Sequence, residues 1–427
     1  MEWNGLSRRL TLSLVFLALA TLSVIPPSHS HANSSYTAGA RKVGSLYEEI
    51  ADTNIDELIH RLSDTGTEIV FRGYFKYWIV PPYRFELVRE SIATVKARLR
   101  WVEFIGGISA SAFVPGDHWP NGTYVSPDEK RQMLWMLPNG TFAHHIEDTQ
   151  LYVLDISKPM ARQFILAYSY NLLDLGFDSI WFDEPDYVPH ESDVYGIPLQ
   201  TPYSDYVAAW HEIVTAVKVY GLTKYGEQVP VSMNGDWMKT IGSGRVKPVW
   251  PYQDYLTVSV NIDTINSGEM RDDWTAYKAE VTRVYGYLPQ IFYFMDDGPL
   301  VALAFKSTSA QIKLIRLFDK TAAQEQVSPI YPLHLGFTYD AEWEGTYDTI
   351  RQLANNISTV HTVTTTYSVP FISTTTTTTT ATTTESKTPT LLENPFELAL
   401  VVVVGVLGLA VIVLIFRKRD RKPSGHS

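Results

Sequence analysis

The stretch GFDSIWFDEPDYVP, Gly176–Pro189, is an apolar, β-branched strand that ends abruptly in Asp-Glu-Pro-Asp. Carboxylates taken out of water are costly unless they are paired or used. The strand end must therefore reach a place where acids have work. A helical stretch, Pro159–Gly176, precedes it with a glycine stop, and another, Tyr203–Gly221, follows it. A strand set between helices points to parallel β/α architecture, in which chemistry sits where strands end and βα-loops begin.

Working outward, the same rhythm recurs. Expected strands are Glu68–Phe75, Arg100–Phe113, Leu151–Ser157, Phe177–Glu184, Val229–Asp236, Tyr255–Asp263, Pro289–Asp297 and Pro329–Phe337. Amphipathic stretches Phe85–Leu99, Asp272–Gly286 and Ser309–Gln326 fall between them, and Ser126 with Pro127 marks a further helix start. The helix after strand five is absent or short. Eight strands alternating with helices match a (β/α)8 TIM barrel over residues 67–359, with a lead-in at 33–66. An open doubly wound sheet would want a Gly-rich phosphate loop after an early strand, and the sequence has none.

The expected strand ends are rich in acids: Asp155, Asp183-Glu184, Asn234-Gly-Asp236, Asn261-Ile-Asp263 and Asp296-Asp297. Helix N-caps account for some of these. Alternation sorts the rest. Ile180 and Phe182 suit packing on helices, which directs Ser179, Trp181 and Asp183 into the barrel. Thr257, Ser259, Asn261 and Asp263 form an inward polar face on strand six. On strand seven, Phe292, Phe294 and Asp296 share one face and Tyr293, Met295 and Asp297 the other, and Asp296 is the favoured inward acid. Arg72 and Glu103, on the first two strands, are expected to pair inside the barrel as a structural contact. Two facing carboxylates suit glycosidic cleavage, one ionised near the anomeric carbon and one protonated to serve the leaving oxygen. Trp78, Trp119, Trp181, Trp237 and Trp343 are candidate sugar-stacking residues, and Asp155, Asn234 and Asp236 candidate hydroxyl ligands.

The run Leu154–Pro185 resembles the strand-three to strand-four segment of glycoside hydrolase (β/α)8 barrels, notably retaining α-amylase-type and α-galactosidase-type enzymes and hydrolase-like barrels. The matching residues are Asp155, Pro159, Arg162, Gly176, Phe177, Asp178 and Asp183. The resemblance implies a nucleophile or ionised stabiliser at Asp183 and a proton donor at Asp263. Other clans use a Glu closing strand four, which keeps Glu184 a candidate, and Asp296 is a fourth. Ser179 stands where Gly is common, and Trp181 where α-amylases carry Arg, which argues against α-amylase activity itself.

The chain ends predict location. Arg8-Arg9, the apolar run Leu10–Ile25 and Pro26-Pro27 read as a signal peptide within residues 1–32. Leu398–Phe416 carries no charge and spans roughly 28 Å as a helix, and RKRDRK follows at 417–422. A transmembrane helix at 396–416 with a basic cytoplasmic tail at 417–427 is expected, with the domain outside. The Ser/Thr-rich segment 360–395 cannot bury a core and reads as a disordered stalk, O-glycosylated in the fuller reading. Asn33, Asn121, Asn139 and Asn356 begin N-x-Ser/Thr sequons. The layout resembles surface proteins of thermophilic archaea.

Composition excludes other classes. Net charge is −11 with both termini basic, which argues against nucleic acid partners. There is no cysteine, so neither disulfides nor a thiol nucleophile enter, and no G-x-S-x-G elbow occurs. No H-x-H strand motif or HExxH helix suggests a metal, and no cofactor is expected. The expected partner is an oligo- or polysaccharide. The alternative from another class is a surface receptor or adhesin that binds glycans without cleaving them.

Overall fold

The computed structural model describes residues 41–357 except 48–49, 53, 77–82, 115, 145–150, 186, 190–191, 193–195, 235–252, 261–273, 296–302, 304–305 and 334–344. In chain order its strands are β1 (Gly44–Leu46), β2 (Ile69–Lys76), β3 (Glu103–Ser109), β4 (Ala112–Phe113), β5 (Tyr152–Val153), β6 (Ser179–Asp183), β7 (Val231–Asn234), β8 (Tyr255–Val260), β9 (Gln290–Met295) and β10 (Ser328–Tyr331). The helices are α1 (Ile55–Asp64), α2 (Phe85–Arg98), α3 (Pro127–Met133), α4 (Pro159–Asp174), α5 (Tyr203–Tyr225), α6 (Trp274–Tyr285), α7 (Thr308–Gln324) and α8 (Thr346–Asn355). All strands but β4 and β5 pair in parallel as one closed barrel, β1-β2-β3-β6-β7-β8-β9-β10 and back to β1.

The expected count of eight barrel strands holds, but its membership differs. The segment expected as strand one is the second barrel strand. The first is β1, inside the expected lead-in, where Gly44 pairs with both Ile69 and Ile330. Three residues offer no period to read, and their strand character comes from the neighbour on each side. Leu151–Ser157, expected as strand three, stands outside the barrel: β5 pairs antiparallel with β4, Ala112 opposite Val153. One omission and one addition cancel, so Asp183 still closes the fourth barrel strand.

Local signals act where the sequence places them. Ser126 Oγ accepts from the Glu129 N–H at 3.2 Å, and Glu129 Oε2 accepts from the Ser126 N–H at 2.7 Å, a reciprocal cap with Pro127 opening α3. Asn54 Oδ1 accepts from the N–H groups of Asp56 and Glu57 to start α1. Gly226 ends α5 with φ +75°, a left-handed conformation that glycine adopts without Cβ strain.

Inside the barrel, side chains stack in layers. At the base, Ser179 Oγ and the Tyr255 hydroxyl lie 2.8 Å apart. Above them the Trp181 indole donates to Thr257 Oγ1 at 2.8 Å and meets the rings of Phe71, Phe75 and Phe294 at centroid distances of 4.9, 5.8 and 5.9 Å. Gly107 makes room for this layer: a Cβ there would sit 2.8 Å from Phe75 Cδ2. The outward face of β6 behaves as alternation requires, with Phe182 packed on Trp210 of α5 at 5.2 Å.

The connection from β3 to α4 is long and structured, holding β4, α3, β5 and isolated bridges such as His118–Tyr124 and Met136–Phe142. A buried ion pair fastens it to the barrel. Lys76 Nζ, at the end of β2, lies 2.6 Å from Asp117 Oδ1, with side chains 4% and 0% exposed. The Tyr83 hydroxyl donates to Asp117 Oδ1 at 3.0 Å, and the Val114 N–H to Oδ2 at 3.0 Å. The Tyr168 hydroxyl of α4 lies 2.8 Å from that of Tyr83. Burial, then the Asp117 charge, pushes the Tyr83 hydroxyl up and keeps it a donor.

The expected signal segment, stalk, anchor and tail lie outside the described residues. Among the described residues no helix is long and apolar enough to cross a membrane.

Removing one partner of a buried pair leaves the other charge stranded. Asp117→Ala is expected to cost about 3–5 kcal/mol in urea unfolding. The double variant Lys76→Met/Asp117→Leu should recover a large part of that loss. An unchanged midpoint for Asp117→Ala would count against this role.

Candidate active site

The inward face of β6 ends in Asp183, 9% exposed at the top of the layered interior. Its Oδ1 accepts from Asn234 Nδ2 at 2.8 Å and from the Glu184 N–H at 3.0 Å. Asn234 closes the neighbouring β7, so two adjacent strand ends deliver a carboxylate and the amide that orients it. Ser109 of β3 lies opposite Asp183 on its other side. Asp183 and Asn234 are both expected at strand ends from the sequence, and the structure brings them together.

Arg72, which the sequence analysis did not name as a site residue, enters this region from β2. It has φ +57°, and the register with β3 shifts between Val70 and Tyr74, so a bulge interrupts the alternation there. Left-handed backbone costs a non-glycine residue roughly 1–2 kcal/mol. The bulge turns the fully buried guanidinium inward, 3.8 Å above the Phe75 ring and 5.7 Å from that of Trp181. A cation thus lies beside the Trp181 ring inside the barrel. The sequence offers Arg72 only as an internal structural partner for Glu103; the bulge that sets its direction has no local signal, because EIVFRGYF reads as an ordinary strand.

Glu184 has the opposite parity from Asp183 and a left-handed φ of +48°. Its Oε2 accepts a hydrogen bond from Ser111 Oγ in the third connection. The Ala110 N–H also donates to the Asp183 carbonyl at 3.0 Å. Glu184 therefore joins the fourth strand to the long connection beside the mouth. It lines a small cavity there with Ala110, Ile156, Tyr187 and Tyr206.

Asp155 lies in that connection rather than on a barrel strand. Its Oδ1 accepts from the Ser157 N–H at 3.1 Å and Ser157 Oγ at 2.6 Å, a turn that leads into α4. The Tyr206 hydroxyl bonds with it; burial first, then the Asp155 charge, pushes that hydroxyl up. Lys158, next to the turn, is pushed down by burial, opposed by the Asp155 charge. Asp155 is thus engaged in a local turn at the start of α4.

Two expected sugar-stacking residues have other work. Trp181 is fully buried as the floor of the site. Trp119 sits in the third connection, its ring 5.4 Å from Phe164 of α4 and its Nε1 donating to Glu129 Oε1 at 3.2 Å. Both are held by packing that alternation alone does not reveal. Asp236, Asp263, Asp296, Trp78, Trp237 and Trp343 lie outside the described residues. The faces leading to two of them follow the expected parity: Thr257 reaches the interior on β8, and Phe292 and Phe294 on β9.

At the opposite end of the barrel a groove is lined by Arg41, Lys278, Gln290 and Glu325. Its cations are engaged, Arg41 with Asp319 and Lys278 with Glu325 at 2.8 Å. Among the described residues no group of three or more His, Cys, Asp or Glu could hold a metal ion.

If Trp181 is the floor and not a subsite wall, Trp181→Ala should lower stability by about 3–5 kcal/mol, read by urea unfolding. A stable variant with altered sugar affinity would reverse that assignment.

No family model matches the sequence, and no curated protein matches it. Among solved structures the chain is similar to Ega3 of Aspergillus fumigatus in complex with galactosamine, at 14% identity and TM-score 0.37 over 66% of this chain and 90% of that one. It is similar to the glycoside hydrolase domain of PelA from Pseudomonas aeruginosa, at 13% identity and TM-score 0.40 over 70% and 97%. It is also similar to an alpha-amylase from Lactobacillus plantarum, at 12% identity and TM-score 0.44 over 75% and 80%. These are likenesses to glycoside hydrolases; the (β/α)8 barrel itself stands on the closed parallel pairing of this chain's own strands.

Proposed function

We propose that the protein is a glycoside hydrolase that cleaves oligo- or polysaccharide outside the cell, tethered by the apolar segment Leu398–Phe416. The observation that carries the reading is Asp183, a carboxylate fixed by Asn234 where two adjacent barrel strands end. A carboxylate held by donors from its own backbone and a neighbouring strand is oriented before substrate arrives, which is what attack on, or charge stabilisation at, an anomeric carbon requires. The tethering is supported by sequence alone, by the uncharged run and the basic RKRDRK behind it.

In this reading Asp183 is the nucleophile or the ionised stabiliser of the oxocarbenium-like transition state. Asp263, on the sequence that continues the inward parity of Thr257 and Ser259, is the proton donor to the leaving oxygen. Asp236 and Asp296 bind hydroxyls, and Trp78, Trp237 and Trp343 supply stacking surfaces.

Asp183→Asn keeps the shape and the bond to Asn234 while removing the carboxylate. Turnover, read as reducing ends released from a panel of α- and β-linked glycans, should fall by at least about 10³-fold with glycan binding retained. Equal behaviour of the two proteins, both binding and neither cleaving, would favour a surface glycan receptor instead. Asn234→Ala, which frees the carboxylate without removing it, should lower turnover by about 10²-fold with a smaller change in binding. An unaffected Asn234→Ala variant would mean that Asp183 is not positioned by this contact.

A further inference from the structure

Two tips of the third connection are built alike. Pro120-Asn121-Gly122-Thr123-Tyr124 and Pro138-Asn139-Gly140-Thr141-Phe142 repeat one pattern, Pro-Asn-Gly-Thr-aromatic. Each closes a hairpin with the same bonds. Trp119 N–H donates to Thr123 O and Gly122 N–H to Trp119 O, both at 2.8 Å. Leu137 N–H donates to Thr141 O at 2.8 Å and Gly140 N–H to Leu137 O at 2.9 Å. The flanking bridges, His118–Tyr124 and Met136–Phe142, correspond as well. Gly122 and Gly140 have φ +81° and +82°, with nothing within 4 Å of where a Cβ would stand, so glycine is there for backbone conformation.

The asparagine side chains are presented in the same way. Asn121 Oδ1 accepts from the Thr123 N–H at 3.0 Å. Asn139 Oδ1 accepts from the Thr141 N–H at 3.0 Å and from Thr141 Oγ1 at 2.7 Å. Asn121, Thr123, Asn139 and Thr141 are all exposed, and neither asparagine Nδ2 hydrogen-bonds to a described residue. A tight turn followed by a glycine in the left-handed conformation satisfies a three-residue hairpin loop of this kind. The turn does not require the threonine that follows in both copies, and that threonine is solvent-facing.

We propose that Asn121 and Asn139 are twin acceptor sites for N-linked oligosaccharide. An amide nitrogen is a weak nucleophile because its lone pair is shared with the carbonyl. Hydrogen bonds to Oδ1 favour the form in which charge gathers on oxygen and make an Nδ2 proton easier to remove. They also turn Nδ2 away from the chain. The co-reactant is an oligosaccharide joined through phosphate to a polyprenyl lipid, presented by a membrane transferase. Nδ2 gives one proton to a base of the transferase and forms a C–N bond to the anomeric carbon. The C–O bond to phosphate breaks, and its electron pair leaves with the lipid phosphate. Nothing is oxidised or reduced. The inference rests on export of this domain and is independent of the reaction proposed at Asp183.

The test uses the full chain, produced in cells whose exporting membrane carries an N-oligosaccharyl transferase. Peptides holding Asn121 and Asn139 should each carry oligosaccharide by mass spectrometry. Enzymatic release in heavy-oxygen water should convert both to labelled Asp. Asn121→Gln and Asn139→Gln should each remove one glycan step. Thr123→Ala and Thr141→Ala, which leave the Asn-Gly turns intact, should do the same. Recovery of both peptides unmodified, or a label acquired only by spontaneous Asn-Gly deamidation, overturns the proposal.

Discussion

A parallel sheet of seven strands would leave β2 and β10 as open edges, each with a row of unpaired backbone groups. The three residues Gly44–Leu46 bridge them. Closure demands close approach: a Cβ on Gly44 would stand 2.7 Å from Ile330 Cγ1. Every barrel strand then has a partner on both sides, and the barrel itself has no open edge. The same closure converts one face of each strand into a shared interior. Without it, Asp183 and Asn234 would be polar groups on an open sheet rather than neighbours at one mouth.

The interior is filled according to how far each layer lies from solvent. Serine and tyrosine share a hydrogen bond at the base, Trp181 and three phenylalanines occupy the middle, and acid and amide emerge at the top. This gradient is what makes a carboxylate affordable at the mouth. Asp183 follows the aromatic layer of Trp181 on the same strand face and receives donors on Oδ1 from Asn234 and from the Glu184 N–H. Preorganisation of this kind precedes substrate, so little reorganisation remains for the reaction.

The long third connection adds a second organising contact beside the barrel. The Lys76–Asp117 pair holds its first part to β2, and Ser111 with Glu184 holds it to the end of β6. The hairpin tips that carry Asn121 and Asn139 are thereby raised on a base anchored at two barrel strands. In the described part of this insertion, backbone groups pair within its own short sheet and bridges.

Much of the barrel was legible because period-two alternation and helix punctuation are local. Ile180 and Phe182 against Trp181 and Asp183, the reciprocal cap at Ser126, and the glycine stop after α4 all declare themselves over a few residues. Asp183 and Asn234 were legible as strand-end polar residues, since a parallel barrel gathers such ends on one rim. What tertiary structure alone decided has a common cause: it depends on partners distant in sequence. Gly44–Leu46 is a strand only because two others flank it, and within Leu151–Ser157 the strand Tyr152–Val153 pairs with Ala112–Phe113 outside the barrel. Alternation put Trp181 inside the barrel, but its partners Phe71, Phe75 and Phe294 come from other strands, as does the register shift against β3 that gives Arg72 its bulge. Sequence alone thus set which residues alternate and where polarity gathers; the folded chain set which of those groups meet, because contact across a closed sheet is a property of all its strands at once.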